Sequence, residues 1–233
     1  MREIPEGCGV DHCYLCSRCV KDWLPAIAQQ RKTYQLKKGQ SVFREGEAVE
    51  GIYFVYSGVI KVHKRWDREK EIITRFALLG DIIGHLGLGK NPVYPVSATA
   101  LSTATVCFVG LDFFNSSLRV NPGLTIDLMQ FFANELQESQ KMMRNMAHMS
   151  VRARIANTFL MLKKQFGLDR KGFIDIDLSR QDMASYSGTT YETLFKVINE
   201  FSASGKIETF EKRIFISDEP YLQSLVKLDP LKS

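Results

Sequence analysis

Residues 31 to 110 are broken by glycine at short intervals, at Gly39, Gly46, Gly51, Gly58, Gly80, Gly84, Gly87 and Gly89. Between the breaks lie short segments rich in β-branched and aromatic residues: YQLKKGQSVF, GIYFVYSGVIKVHKRW, EIITRFALLGD and SATALSTATVCFVG. Glycine adopts the positive φ of tight corners without steric cost. Short strands at regular spacing with turn signals predict a β-sandwich, jelly roll or small barrel. A chain of 233 residues with 45% hydrophobic content can bury a real core, as one large domain or two modest ones.

At Asn121 the pattern changes to NPGLTIDLMQFFANELQESQKMMRNMAHMS, with Pro122 suited to a first helical turn. Leu128, Phe132, Leu136, Ser139, Met143 and Met146 recur at spacings of four and three, which predicts one apolar seam; Phe131, Met142 and Met149 widen it. The seam can pack on the chain's own barrel. It can equally form a coiled-coil-like dimer interface, because a helix of about seven turns outlasts a small domain's surface. Ser139 softens such a seam and leaves association easily adjusted.

The last third is mixed. RARIANTFLMLKKQFG predicts an amphipathic helix closed by Gly167. IDIDLSRQDMASYSGTTYETLFKVINEFSASGKI predicts two short helices about a turn, and KIETFEKRIFISD a hairpin with a charged tip. Ser179 with Asp182 is an N-cap pattern, and Thr189 with Glu192 repeats it after the Ser187-Gly188 break. The second helix would turn Leu194, Val197, Ile198 and Phe201 inward. Thr190, Tyr191, Glu192, Phe195 and Lys196 would face outward near its N-terminus, where a recognition helix meets base edges and phosphates. A plainer reading of the same residues is a capping box and an i, i+4 ion pair between Glu192 and Lys196.

No run of eighteen apolar residues exists and no secretory signal is visible, so the cytoplasm is the expected compartment and no membrane partner is expected. A net charge of +5 and a pI near 8.9 permit a polyanionic partner without demanding one. There is no Walker-type loop, no HExxH and no plausible Ser/His/Asp set among His12, His63, His85 and His148, so an enzyme is not expected. His63 and His85 taken singly read as ordinary polar residues rather than ligands.

Four of the five cysteines, Cys8, Cys13, Cys16 and Cys19, crowd into GCGVDHCYLCSRCV, ahead of the strand-rich region. In a reducing compartment such a group binds metal or senses redox state more often than it forms structural bridges. Cys13-x2-Cys16-x2-Cys19 reproduces the first three ligands of the bacterial ferredoxin-type run, whose fourth cysteine comes from elsewhere. The remote cysteine is Cys107, on an expected strand. A zinc knuckle in the leader and a dithiol–disulfide switch are the competing readings, and Cys107 by itself would be a small core residue.

The order of parts resembles the Crp/Fnr transcription regulators over nearly the whole chain. GEAVEGIYFVYSGVIKV looks like the family's β-roll, GDIIGHLGL like its effector-pocket segment and SGTTYETLFKVINEF like its recognition helix. The resemblance implies an α+β fold: a cysteine-rich leader (1–30), a cyclic-nucleotide-binding-like jelly roll or β-roll (31–120), a long dimerisation helix (121–149) and a winged helix-turn-helix (150–233). It also implies a homodimer on a two-fold operator in double-stranded DNA, with RNA polymerase as partner. The family helix carries E-T/S-x-x-R; Glu192 and Thr193 match it, while Lys196 stands at the arginine position and lacks the planar fork for bidentate guanine reading.

Cyclic-nucleotide binders of the family carry Gly-Glu-Leu and, further on, Arg-Ser-Ala. Gly84-His85-Leu86 and Val96-Ser97-Ala98 lack both polar anchors, so cyclic AMP is not expected. The oxygen-sensing fumarate–nitrate-reduction (Fnr) branch combines clustered leader cysteines with one on the β-roll. The similarity implies a [4Fe–4S] cluster held by Cys13, Cys16, Cys19 and Cys107, with Cys8 as substitute, that senses oxygen or redox state and controls dimerisation and operator binding. A thiol switch or a different small effector in the β-roll is the alternative.

Overall fold

The computed structural model describes residues 1–5, 12–65 and 70–227. Two units, Met1–Leu136 and Gln137–Ser233, divide the chain within its longest helix. The first contains strands β1 (Arg2–Ile4), β2 (Arg31–Leu36), β3 (Ser41–Phe43), β4 (Gly51–Ser57), β5 (Ile60–Arg65), β6 (Glu71–Ala77), β7 (Ile82–Ile83), β8 (Ser97–Ala100) and β9 (Ala104–Gly110). They form an antiparallel five-stranded sheet in the order β1-β2-β9-β4-β7 and a four-stranded sheet in the order β3-β8-β5-β6.

Period-two alternation decides what each sheet face carries. Leu36, Tyr53, Val55, Ala104 and Val106 from one sheet meet Phe43, Ile60, Val62, Ala98 and Ala100 from the other in a buried core. Gly58 closes the β4–β5 hairpin at φ +80, against the Thr103 carbonyl and the Ala104 backbone, where any side chain would collide. The opposite face of the five-stranded sheet carries Ile52, Phe54, Ile82, Cys107 and Val109 into a second apolar cluster.

That second cluster is roofed by the leader and by helices. The leader is part of the fold. β1 pairs with β2 in register Arg2↔Gln35, and tight turns at Cys16–Arg18 and Lys21–Trp23 lead into helix α1 (Leu24–Gln30). Leu15, Cys16 and Ile27 are buried. Trp23 and Leu24, partly buried, pack against the same cluster.

Helix α2 (Leu111–Val120) and helix α3 (Pro122–His148) complete the roof, with Phe114, Leu124 and Leu128 buried in the same cluster. The second unit contains α4 (Val151–Phe166), α5 (Arg180–Ser187), α6 (Tyr191–Ala203), a hairpin of β10 (Ile207–Phe210) and β11 (Arg213–Ile216), and α7 (Glu219–Lys227). No helix among the described residues is long and apolar enough to cross a membrane.

Candidate metal centre and nucleic-acid interface

Strand β9 splits its side chains between the two cores: Ala104 and Val106 enter the inter-sheet core, whereas Cys107 and Val109 face the leader. Cys107, 1% exposed, pairs across the sheet with Thr33 and Phe54, and its sulfur lies 3.9 Å from the Thr33 hydroxyl. Cys13 and Cys16 are buried in the same cluster and Cys19 packs against its edge. The fold therefore brings together four of the five cysteines singled out by spacing; Cys8 lies outside the described residues.

No disulfide joins any two of Cys13, Cys16, Cys19 and Cys107. Burial pushes the Cys19 thiol up to about 11, and the nearby Cys13 adds to the shift. Thiolate is the form that binds metal, so loading must displace protons from this site. Among the described residues, no three His, Cys, Asp or Glu side chains are arranged as a metal-binding group. The Tyr14 hydroxyl, next to Cys13, is buried without a hydrogen-bond partner. Leaving such a group unsatisfied costs about 1–3 kcal/mol.

The leader is tied to the helices by contacts that no local sequence signal announces. Asn121, 2% exposed, accepts from the Val20 N–H at 2.8 Å and donates to the Ser117 carbonyl at 2.8 Å. The Trp23 indole donates to the Ser117 hydroxyl at 2.9 Å and stacks on Phe113. Arg18 lies 4.1 Å over the Tyr14 ring and pairs with Asp127 of α3 at 3.0 Å. Tyr14 itself meets Phe131 edge-on. The leader thus bears directly on the first turns of α3.

The segment GDIIGHLGL packs on the same helix. His85, 3% exposed, is wedged edge-on against Phe131 and Phe132, with Nε2 3.7 Å from Glu135, whose carboxylate also faces Arg75 at 3.6 Å. Burial holds the His85 pKa below its ordinary value, against the opposing pull of Glu135. Between the sheets, Val96 is buried, Phe43 stacks on Tyr94 at 4.0 Å, and the Tyr94 hydroxyl donates to the Gly51 carbonyl.

The expected dimer seam needs correction. Leu128 is 5% exposed within the chain's own cluster, and Phe132 packs against that cluster. Met146 lies so close over Gly188 that a Cβ there would collide with its Sδ and Cε. These three face their own units. Leu136 and Met143, each 60% exposed, and Ser139 remain outward, joined at helical spacing by Ile126 and Met129. The six positions span only about 80° of the helix circumference, so they share one face; the first unit's cluster covers that face at Leu128 and Phe132 and leaves it open at Leu136, Ser139 and Met143.

In the second unit, Ser179 caps α5 by accepting from the Asp182 N–H and donating to its carboxylate at 2.6 Å. Gly188 ends the helix at φ 61. The N-cap of α6 is Thr190, which accepts from the Thr193 N–H, and not Thr189 as the sequence pattern suggested. Leu194, Val197, Ile198 and Phe201 are buried. Tyr191, Glu192, Phe195 and Lys196 are exposed, and the Tyr191 and Phe195 rings stack with 6.2 Å between centroids. Hydrogen bonds from its own backbone N–H and the Thr190 hydroxyl hold the Glu192 carboxyl below its usual range. It is therefore an exposed anion at the start of α6.

Two arginines that no local sequence pattern marks brace this surface. Arg154 of α4 donates to the Ser187, Gly188 and Met149 carbonyls, clamping the turn. Arg180 reaches the Glu211 and Lys212 carbonyls at the tip of the β10–β11 wing.

Residues 33–121 match the family model described as cyclic nucleotide-binding domain, and residues 153–225 match the Crp-like helix-turn-helix domain. Electron transport regulator A of Shewanella oneidensis is 29% identical over 239 residues, covering 96% of this chain and 93% of that protein. The fumarate and nitrate reduction regulatory protein of Escherichia coli is 28% identical over 234 residues, covering 94% and 91%. FixK2 from Bradyrhizobium japonicum shares the fold, with a TM-score of 0.74 at 21% identity over 87% of this chain and 99% of that one.

Proposed function

The chain belongs to the Crp/Fnr family of DNA-binding transcription regulators, and on that premise we propose that it reads oxygen or redox state through an iron–sulfur cluster that controls dimerisation and operator binding. The observation that carries this reading is the convergence of Cys13, Cys16 and Cys19 from the leader with Cys107 from β9 in one apolar cluster. Four soft thiol donors suit iron–sulfur chemistry, and Tyr14, adjacent in sequence to Cys13, has a buried hydroxyl with no hydrogen-bond partner among the described residues. Cys13, Cys16, Cys19 and Cys107 would hold the cluster. When bound, a [4Fe–4S] cluster supplies ligation that is sensitive to oxygen.

The chain's own residues connect that site to DNA binding. Arg18, Val20 and Tyr14 of the leader touch Asp127, Asn121 and Phe131 at the start of α3. A change in the leader's seat therefore acts on the inward face of α3, and through it on the stripe of Ile126, Met129, Leu136 and Met143. That stripe is the proposed homodimer surface. A tenfold shift in a monomer–dimer equilibrium needs only about 1.4 kcal/mol. Dimerisation then sets two recognition helices on the half-sites of a two-fold operator. There Glu192 accepts from cytosine, Lys196 meets guanine or phosphate, and the Phe195 and Tyr191 rings meet thymine methyls, while Ser179, Thr189 and Thr190 approach the backbone.

A cyclic nucleotide has little to hold it, since Val96 occupies the phosphate-anchor position and His85 is committed to α3. The nearness of Cys13 to Cys19 supports a dithiol–disulfide switch as a second reading. Anaerobic purification followed by iron and acid-labile sulfide assay, with operator titration before and after air, separates the two. The disulfide switch predicts reversible loss of operator binding with no iron present.

A further inference from the structure

The four-stranded sheet carries a second site on the face turned away from the inter-sheet core. Ile60, Val62, Ala98 and Ala100 point into that core, so the alternate residues Ser97, Thr99 and His63 point the other way. With Ser41, Arg44, Glu45 and Arg65 they line a cavity of about 310 Å³. His63, 4% exposed, is fixed on both sides: Nε2 lies 2.9 Å from the Thr99 hydroxyl, and Nδ1 lies 2.8 Å from Glu71, though off the line of an ideal hydrogen bond. The His63 ring beside it, with Lys61 adding to the effect against burial, holds the Glu71 carboxyl down at about 2. The negative charge in this wall is therefore already satisfied.

The charge facing the cavity is positive. Glu45 is engaged by Lys64 at 3.6 Å and by the Arg65 N–H at 3.3 Å. Ser97 accepts from the Glu45 N–H at 3.0 Å, which leaves its own proton to donate inward. Among the described residues, no carboxylate pairs with the guanidinium of Arg44 or Arg65. Two arginines and the hydroxyls of Ser41 and Ser97 in one lining suit a tetrahedral oxyanion. The volume sits at the lower end of small-molecule sites and exceeds what a bare phosphate needs.

We propose that this cavity binds a small phosphomonoester, giving the regulator a second input separate from the cysteine face. Arg44 and Arg65 take the phosphate charge, Ser41 and Ser97 donate to its oxygens, and the buried His63–Thr99 pair forms a rigid polar floor. No residue of this site belongs to the cysteine cluster, so the assignment stands or falls independently of the iron–sulfur reading.

The test is calorimetric titration of the full chain in air, with glycerol 3-phosphate and with inorganic phosphate, at ionic strength held constant with chloride. Native protein and the Cys107→Ala variant should bind glycerol 3-phosphate alike, at least threefold tighter than inorganic phosphate. The double variant Arg44→Gln, Arg65→Gln alters exposed side chains, so it should fold normally and lose at least tenfold in affinity. Binding no stronger than that of chloride, or equal binding by the double variant, overturns the site. Equal affinity for the ester and free phosphate overturns the ester assignment.

Discussion

Cys107 is 1% exposed and Cys13 5%, whereas Tyr191 and Phe195 on the recognition helix are 43% and 49% exposed. The sulfur face is assembled from two segments far apart in sequence, the leader and β9, and sealed by packing, and at least one of its thiols is pushed up in pKa. The recognition helix is built from thirteen consecutive residues, is capped locally and carries its polar groups in water. A buried donor set responds only when its cover moves, which suits a switch. An exposed one needs no rearrangement and depends on where the helix is held, which makes it a reader governed from elsewhere.

The sharpest way to break this contrast is Cys107→Ala. Iron and sulfide incorporation should fall at least about tenfold, and the difference in operator affinity with and without air should vanish, while operator affinity in air stays native. If affinity in air collapses as well, the two regions are not separable. The next largest effect is expected from Leu136→Glu combined with Met143→Glu. Both positions are exposed, so folding should be unchanged, while the dimer dissociation constant measured by sedimentation rises about a hundredfold as charges enter an apolar seam. Glu192→Gln and Phe195→Ala should each weaken operator binding about tenfold, with base preference altered and iron content untouched.

Smaller effects test the connection between leader and helix. Asn121→Ala removes the acceptor for the Val20 N–H and should cost about 1–2 kcal/mol in denaturant unfolding, with faster proteolysis of the leader. The smallest lies on the opposite sheet. Glu71 has a folded pKa of about 2 against an ordinary 4.5, so its stabilisation is complete above about pH 4.5 and is lost as pH falls toward 2. The stability difference between native protein and Glu71→Gln, less than about 2 kcal/mol after solvent screening, should therefore shrink across that window, and neither iron content nor operator binding should change.

What the sequence made legible follows the range of the interactions involved. The glycine-punctuated strands, the α5–α6 turn at Gly188 and the inward face of Leu194, Val197, Ile198 and Phe201 rest on local periodicity and capping. The N-cap slipped by one because Thr189 and Thr190 are adjacent, and only the bond from the Thr193 N–H chooses between them. The seam divides because the β-roll cluster covers α3 at Leu128 and Phe132 but not at Leu136 and Met143, and spacing along one face does not say where that cover ends. The cysteine set was found by motif, whereas Asn121, Trp23 and Ser117 were not. Asn121 meets Val20 across 101 residues of chain, and Trp23 meets Ser117 across 94, leaving no local trace.

The most direct measurement is the iron and acid-labile sulfide content of the anaerobically purified full chain, native beside Cys107→Ala. About four irons and four sulfides per native chain, lost in the variant, are the values a site joined from leader and β9 requires. Zinc without sulfide, or the same iron content in both proteins, would contradict it.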